Sequence, residues 1–117
     1  MALTTMDTSI LEYEDDKFAV SEADLDDASR GLKAMGHPLR LRILYILASA
    51  KEISVQGLVE RVGTSQSNIS QHLSILRDKR ILASRKDANK VYYRIDDPNI
   101  LLLMDIMRDA FCAGRSS

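Results

Sequence analysis

The sixteen residues from Gly63 to Asp78, GTSQSNISQHLSILRD, constrain this chain more than any other segment. They read as a tight turn followed by a helix. Ile69, Leu73 and Leu76 recur at spacings i, i+4 and i+7 and form one apolar face. At about 100° per residue, Ser67, Gln71 and Ser74 fall opposite that face, with Asn68 and Ser70 on its flanks. A solvated helix ordinarily carries Lys and Glu there. Short Ser, Asn and Gln side chains on a helix held to a core suit a different role. They let the helix lie in a major groove and meet the donor and acceptor edges of base pairs. The competing reading is a solvated helix that is simply rich in serine.

The neighbouring segments supply a frame for that helix. Residues 1–20 are polar and acidic and read as a mobile arm, with room for a short helix in LEYEDDKFAV. The domain proper is expected over residues 21–113. Ser21 starts a helix with acids in its first turn, where the helix dipole favours them. Leu25, Ala28, Leu32 and Met35 follow at helical spacing, and Gly36-His37-Pro38 breaks the run. Pro38 then opens a second helix, PLRLRILYILASA. Ile53 reads as a short edge strand and Ser54 as the cap of a third helix, VQGLVERV. Gly63 ends that helix in a left-handed conformation, and Thr64 or Ser65 caps the next. Helix, short turn and helix, with polar groove-facing residues on the second, is the helix-turn-helix pattern.

Ile81–Lys86 and Val91–Ile95 read as two strands joined through Asp87-Ala88-Asn89, where Asn89 is expected to take the positive φ. Arg85, Lys86, Lys90 and Arg94 crowd this hairpin. Directly after a recognition helix, such a hairpin is a wing that lies along phosphates or enters the minor groove. The plainer alternative is that these charges protect a strand edge from aggregation.

Asp97-Pro98 opens the last helix. From Pro98 to Cys112 the polar residues are Asn99, Asp105, Arg108 and Asp109, and the last three share one narrow stripe. A helix apolar around most of its circumference has two sides to bury. One covers its own core; the other is expected to meet a second copy of the chain, together with the first helix. Leu25, Leu32, Leu101, Met104, Met107 and Phe111 are the expected interface residues. A homodimer would place two recognition helices about 34 Å apart, one duplex turn, to match a pseudo-palindromic operator in double-stranded DNA.

Composition fits this reading. One domain is the natural expectation for 117 residues, and a hydrophobic fraction of 45% suffices for a core. The net charge of −1 conceals an asymmetry. Residues 1–29 hold nine Asp and Glu against one Lys, giving −8. Residues 30–117 hold fifteen Lys and Arg against eight acids, giving +7. The expected folded part is basic, as a DNA-binding domain should be. One Cys excludes an internal disulfide. No segment resembles a signal peptide, and the apolar runs are too short to cross a bilayer, so a cytoplasmic protein with no membrane association is expected. The fold expected is mainly α with a small β-hairpin wing, an α+β winged helix-turn-helix: four helices, the hairpin, then a fifth helix, dimerising through the terminal helices.

From about residue 25 to 112 the chain resembles the ArsR/SmtB family of bacterial winged-helix repressors. The resembling residues run Ala34-Met35-Gly36-His37-Pro38-Leu39-Arg40-Leu41-Arg42-Ile43-Leu44, then Ser65 through Leu76, then Val91-Tyr92-Tyr93-Arg94-Ile95. The resemblance implies a dimer that occupies a promoter and leaves when an effector binds. Arsenic and cadmium sensors of the family carry paired cysteines at the start of the third helix, where this chain has Glu52-Ile53-Ser54-Val55-Gln56-Gly57. Zinc sensors carry Asp and His on the last helix, where this chain has Asp105 and Asp109 but no His. Thiophilic metals and zinc require thiolate or imidazole ligands that neither place supplies, so no metal and no cofactor is expected. The most similar branch senses sulfide, persulfide or oxidants through one Cys in the second helix and another near the end of the last. Cys112 matches the second position and Tyr45 the first, so the intramolecular bridge of that branch cannot form. Cys112 is then either a redox-responsive thiol or a small apolar residue at an interface.

His72 sits toward the apolar flank of its helix and is expected to pack and hydrogen-bond, with base contact as the alternative. His37 is expected to serve the turn. No nucleophile with base and orienter, phosphate cradle or acid pair is present, so the chain is not expected to be an enzyme. The expected function is a sequence-specific, homodimeric DNA-binding repressor released by an effector. Its expected contacts are Thr64, Ser65, Gln66, Ser67, Asn68, Ser70 and Gln71 on the helix and its cap, and Arg85, Lys86, Lys90 and Arg94 on the wing. A redox or sulfide sensor acting through Cys112, a metal-responsive repressor, and a protein-interaction module on the same fold are the alternatives.

Overall fold

A computed structural model describes residues 17–113 of the chain. The acidic arm before Lys17, with the short helix expected in it, lies outside the described residues. The element order is α1 (Glu22–Met35), α2 (Pro38–Ala50), β1 (Ile53–Ser54), α3 (Val55–Val62), α4 (Gln66–Asp78), β2 (Ala83–Asp87), β3 (Lys90–Arg94) and α5 (Pro98–Arg108), the last running into a π-turn at Asp109–Ala113. The five helices and the hairpin form in the expected order, but the strands are shifted: the first starts at Ala83 rather than Ile81 and takes in Asp87, and the second runs Lys90–Arg94 rather than Val91–Ile95.

Local chemistry sets each boundary. The Ser21 hydroxyl accepts the Asp24 amide and caps α1. His37 caps α2, its Nδ1 accepting the Leu39 amide at 3.1 Å, with Pro38 following in the first turn. Ser54 and Ser65 cap α3 and α4 by accepting the amides of Gly57 and Asn68. Ser65, rather than Thr64, is therefore the cap of α4. Gly63 closes α3 at φ 82°, a left-handed conformation that Gly adopts without penalty. Gly57 is needed for proximity: a Cβ there would meet Ile53 Cγ2 at 2.7 Å, where α3 lies on β1.

The three strands form one antiparallel sheet in the order β1-β3-β2. Ile53 pairs with Tyr93, and Ala83 through Asp87 pair with Arg94 through Lys90. The two-residue loop differs from expectation. Ala88 takes the positive φ, 56°, and Asn89 does not. The first loop position of this hairpin requires the left-handed region, and Ala88 occupies it.

The core joins all five helices to the sheet. Ile43, Leu44, Leu47, Leu58, Ile69, Leu73, Leu76 and Met104 are its fully buried large side chains, with Met35, Ile53, Ile81, Leu82 and Tyr93 around them. Each full burial of this kind stabilises by about 1.5–3 kcal/mol, so α4 is anchored firmly by its three inward residues. A polar bond also ties two of the helices together. The Tyr45 hydroxyl on α2 donates to the Met104 carbonyl on α5 at 2.6 Å. Among the described residues no helix is long and apolar enough to cross a membrane.

Candidate nucleic-acid interface

The two faces of α4 separate as their residue types require. Ile69, Leu73 and Leu76 have no solvent exposure. Gln66, Ser67, Ser70 and Gln71 are exposed, while Ser74 is half-buried. Ser65 and Thr64 stand at the start of the helix, where unpaired amides and the positive end of the dipole favour an anion. Their side chains already have partners: the Asn68 amide group donates to Thr64 Oγ1 at 3.1 Å, and Ser65 holds the Asn68 backbone. Both hydroxyls keep a proton to donate elsewhere. Asn68 is half-buried and turned toward the cap.

An open cleft of about 410 Å³ separates α4 from the wing, lined by Ser54, Val55, Gln56, Gln66, Ser70, Asn89, Lys90, Val91 and Tyr93. It brings recognition-helix residues and the wing lysine to one surface. Gln56 and Ser54, at the start of α3, are not among the contacts expected from the sequence. A serine cap followed by glutamine opening onto that cleft is the signal that could have found them.

The four wing cations fall into two kinds. Arg85 forks onto Glu52, with Nε–Oε2 at 2.9 Å and Nη2–Oε1 at 2.7 Å, and lies over the Tyr92 ring at 4.6 Å from its centre. It crosses from β2 over β3 to the residue before β1 and pins all three strands. The Arg85 hydrogen bonds hold the Glu52 carboxyl below its ordinary value, and Glu52 in turn raises that of Arg85. Arg94 reaches Asp96 at 3.3 Å. Lys86 and Lys90, both exposed, enter no ion pair among the described residues.

The terminal helices carry the other exposed surface. Leu25 and Leu32 on α1 are about half exposed, and Leu101 and Phe111 are exposed. The structure corrects two positions. Met104 is 1% exposed and belongs to the protein's own core, and Met107 is half-buried against that core. Beside Leu101, the apolar side chains turned outward on α5 are Leu102 and Ile106. Ile100, Leu103, Met104 and Met107 share the inward half of the helix, and an all-round apolar helix gives no signal for choosing that half.

Cys112 is exposed, in the π-turn after α5. Its charge is among the influences that raise the Tyr45 phenol above its ordinary value, after the larger effect of burial. Tyr45, which stands where the resemblance would place the other cysteine, is committed to the Met104 carbonyl. Among the described residues no group of three or more His, Cys, Asp or Glu could hold a metal.

A helix-turn-helix whose second helix offers small polar groups outward, flanked by a cationic hairpin, defines a winged-helix DNA-binding protein. The chain belongs to the ArsR family of bacterial regulatory proteins: the family profile matches residues 37–84. The HTH-type transcriptional regulator YgaV of Escherichia coli is 32% identical over 82% of this chain and 97% of its own length. The nodulation protein NolR of Rhizobium meliloti is 38% identical over 75% of this chain and 71% of its own. The solved structure of HlyU from Vibrio cholerae superposes with a TM-score of 0.72 at 34% identity, covering 79% of this chain and 99% of that one. The protein is accordingly a DNA-binding transcriptional regulator and not an enzyme.

Proposed function

We propose that the protein is a cytoplasmic, homodimeric repressor that binds a pseudo-palindromic operator and leaves it when an effector acts. The observation that carries the reading is the outward row Gln66, Ser67, Ser70 and Gln71 on a helix whose opposite face is wholly buried. That row meets base edges, while Ser65 and Thr64 at the helix start meet phosphate. Asp78, exposed at the far end of α4, points away from the duplex because phosphate repels it.

On the wing, Lys86 and Lys90 grip the backbone. Arg85 and Arg94, already engaged by Glu52 and Asp96, order the wing and reach phosphate only by giving up a carboxylate. Residues 21–113 form the binding and dimerisation domain, and residues 1–20 an acidic appendage. Leu25, Leu32, Leu101, Leu102, Ile106 and Phe111 form the contact between subunits; their exposure in a single chain supports this assignment. The exposure of Cys112 favours a thiol-responsive variant of the same function, in which oxidation or persulfidation of Sγ weakens operator binding.

Titration of the protein's own promoter DNA with wild type, Gln71→Ala and Lys90→Ala at several salt concentrations tests the interface. Gln71→Ala should relax sequence preference, and Lys90→Ala should weaken all sequences alike. Equal, sequence-blind losses would refute the assignment. Binding by the reduced, oxidised and Cys112→Ser proteins tests the thiol; three identical curves would remove it.

A further inference from the structure

A polar node joins three helices behind the recognition face. Arg40, on α2, donates from Nε to the Ala34 carbonyl near the end of α1 at 2.6 Å. Its Nη1 lies 3.1 Å from Nδ1 of His72 on α4. The His72 ring also rests against the His37 ring, with centres 4.7 Å apart. A guanidinium only donates, so Nδ1 of His72 must accept, and the neutral imidazole carries its proton on Nε2. Nδ1 of His37 is likewise an acceptor, for the Leu39 amide.

We propose that Arg40 is a positioning residue for DNA binding: by tying the end of α1 to His72 it fixes the angle at which α4 is presented to the duplex. The inference rests on the assignment of α4 as the recognition helix. Three inward residues hold α4 against the core, but apolar packing alone permits small rotations about the helix axis. Directional hydrogen bonds suppress them. Because α1 also carries the exposed Leu25 and Leu32, the same arginine links the intersubunit surface to the DNA-reading surface. A rotation of α4 would misplace Ser67 and Gln71 against base edges and leave phosphate contacts largely intact. The predicted loss is therefore in specificity.

Protonation of His72 gives a readout that a packing role would not move. The imidazolium turns Nδ1 into a donor facing a donor. His37 and Arg40 are the titratable and charged groups that face the ring; α1 contributes the Ala34 carbonyl through Arg40, and no carboxylate among the described residues contacts His72. Burial first, then His37 and Arg40, holds the His72 pKa below its ordinary value of 6.5. The bridge is thus complete above pH 6.5 and is lost as the pH falls through the lowered value.

The test measures affinity for operator and for unrelated duplex from pH 7.5 to 5, with circular dichroism at each pH to verify folding. For wild type the operator-to-unrelated ratio should fall as the pH is lowered across that range. His72→Asn, whose Oδ1 can replace Nδ1 as acceptor but does not titrate, should keep the ratio at pH 7.5 and flatten its pH dependence. His37→Asn, which keeps a helix-capping side chain, should retain the wild-type drop. Arg40→Gln should lower the ratio about tenfold at pH 7.5, to near the level wild type reaches at low pH, and flatten its pH dependence, while binding to unrelated duplex changes less than twofold. A pH profile of His72→Asn that parallels wild type, or an Arg40→Gln protein with the wild-type ratio at pH 7.5, overturns the proposal. Absence of any operator preference in wild type at pH 7.5 would instead overturn the recognition-helix assignment, and this inference with it.

Discussion

Helices α4 and α5 are of similar length and both carry an apolar face into the same core, yet their outward faces differ: Ile75 is the one exposed large apolar residue on α4, whereas α5 exposes several. α4 shows solvent Gln66, Ser67, Ser70 and Gln71. α5 shows solvent Leu101, Leu102 and Ile106, with Leu102 and Ile106 more than half exposed. The polar outer face is stable in water as it stands, and its residue types suit a partner that hydrogen-bonds from a fixed lattice of donors and acceptors. The apolar outer face exposes surface whose burial is worth about 25 cal/mol per Å², which suits the proposed contact with a second subunit. One helix presents hydrogen-bonding groups to solvent; the other leaves apolar surface uncovered, as the proposed DNA and subunit contacts would require.

Substitutions on the two faces of α4 give the largest contrast. Leu73→Ala should cost about 2–5 kcal/mol of folding stability, read from chemical denaturation, because the site lies at the centre of the core. Gln71→Ala should change that stability by less than about 0.5 kcal/mol. Its effect should appear in operator binding, as a loss of about 1–3 kcal/mol with relaxed preference at one base pair. If Gln71→Ala unfolds the protein, the outer face of α4 is structural and the contrast fails.

The outer face of α5 is broken by the pair Leu102→Glu and Ile106→Glu. Sedimentation should show the doubly substituted protein as a monomer. Its operator affinity should fall about 100-fold or more, since each half-site is then bound without the linkage of the other. A doubly substituted protein that remains dimeric would place the subunit contact elsewhere on the molecule.

These contrasts are unequally legible in the sequence. The i, i+4, i+7 pattern of Ile69, Leu73 and Leu76 identifies the inward face of α4 because, Ile75 apart, the rest of that helix is polar. On α5 the pattern is uniform, so sequence reasoning turns Met104 and Met107 outward and passes over Leu102 and Ile106. Only the packing of α5 against Tyr45 and the core decides which half turns in. The caps at Ser21, Ser54 and Ser65 are readable from residue type alone. The left-handed residues Lys51, Arg80 and Ala88 are not, because none is the Gly or Asn that ordinarily marks such a position. The grip of Arg85 on Glu52 is hidden as well: the two lie 33 residues apart and meet only when β1 joins the hairpin.

The wing repeats the contrast on a smaller scale, between cations free for DNA and cations held by the fold. Lys90→Ala should lower the slope of log affinity against log salt by about 0.9 per subunit, one phosphate contact each. Arg85→Ala should leave that slope nearly unchanged, because Glu52 already neutralises the guanidinium. Its effect belongs to wing order. Because the Glu52 carboxyl is held low, its contribution to stability is whole above its ordinary value of 4.5 and is lost as the pH falls through the lowered value. Thermal melts below pH 4.5 should therefore lose a component that Glu52→Gln lacks. Equal slope changes for the two cations would erase the distinction between them.

The smallest expected effect lies at the wing tip. Ala88 holds φ at 56°, a conformation that costs a residue with a Cβ about 1–2 kcal/mol. Glycine removes that cost but gives the unfolded chain more freedom, an opposing effect of about 0.5–1 kcal/mol. Ala88→Gly should therefore stabilise the protein by about 0.5 kcal/mol, as a small rise in the denaturation midpoint with no change in its slope. Operator affinity and its salt dependence should stay at wild-type values, since Lys86 and Lys90 keep their strand positions on either side of the loop. A loss of affinity without a loss of stability would mean that the strained alanine aims the wing and that this tip, like the outer face of α4, is shaped for the duplex.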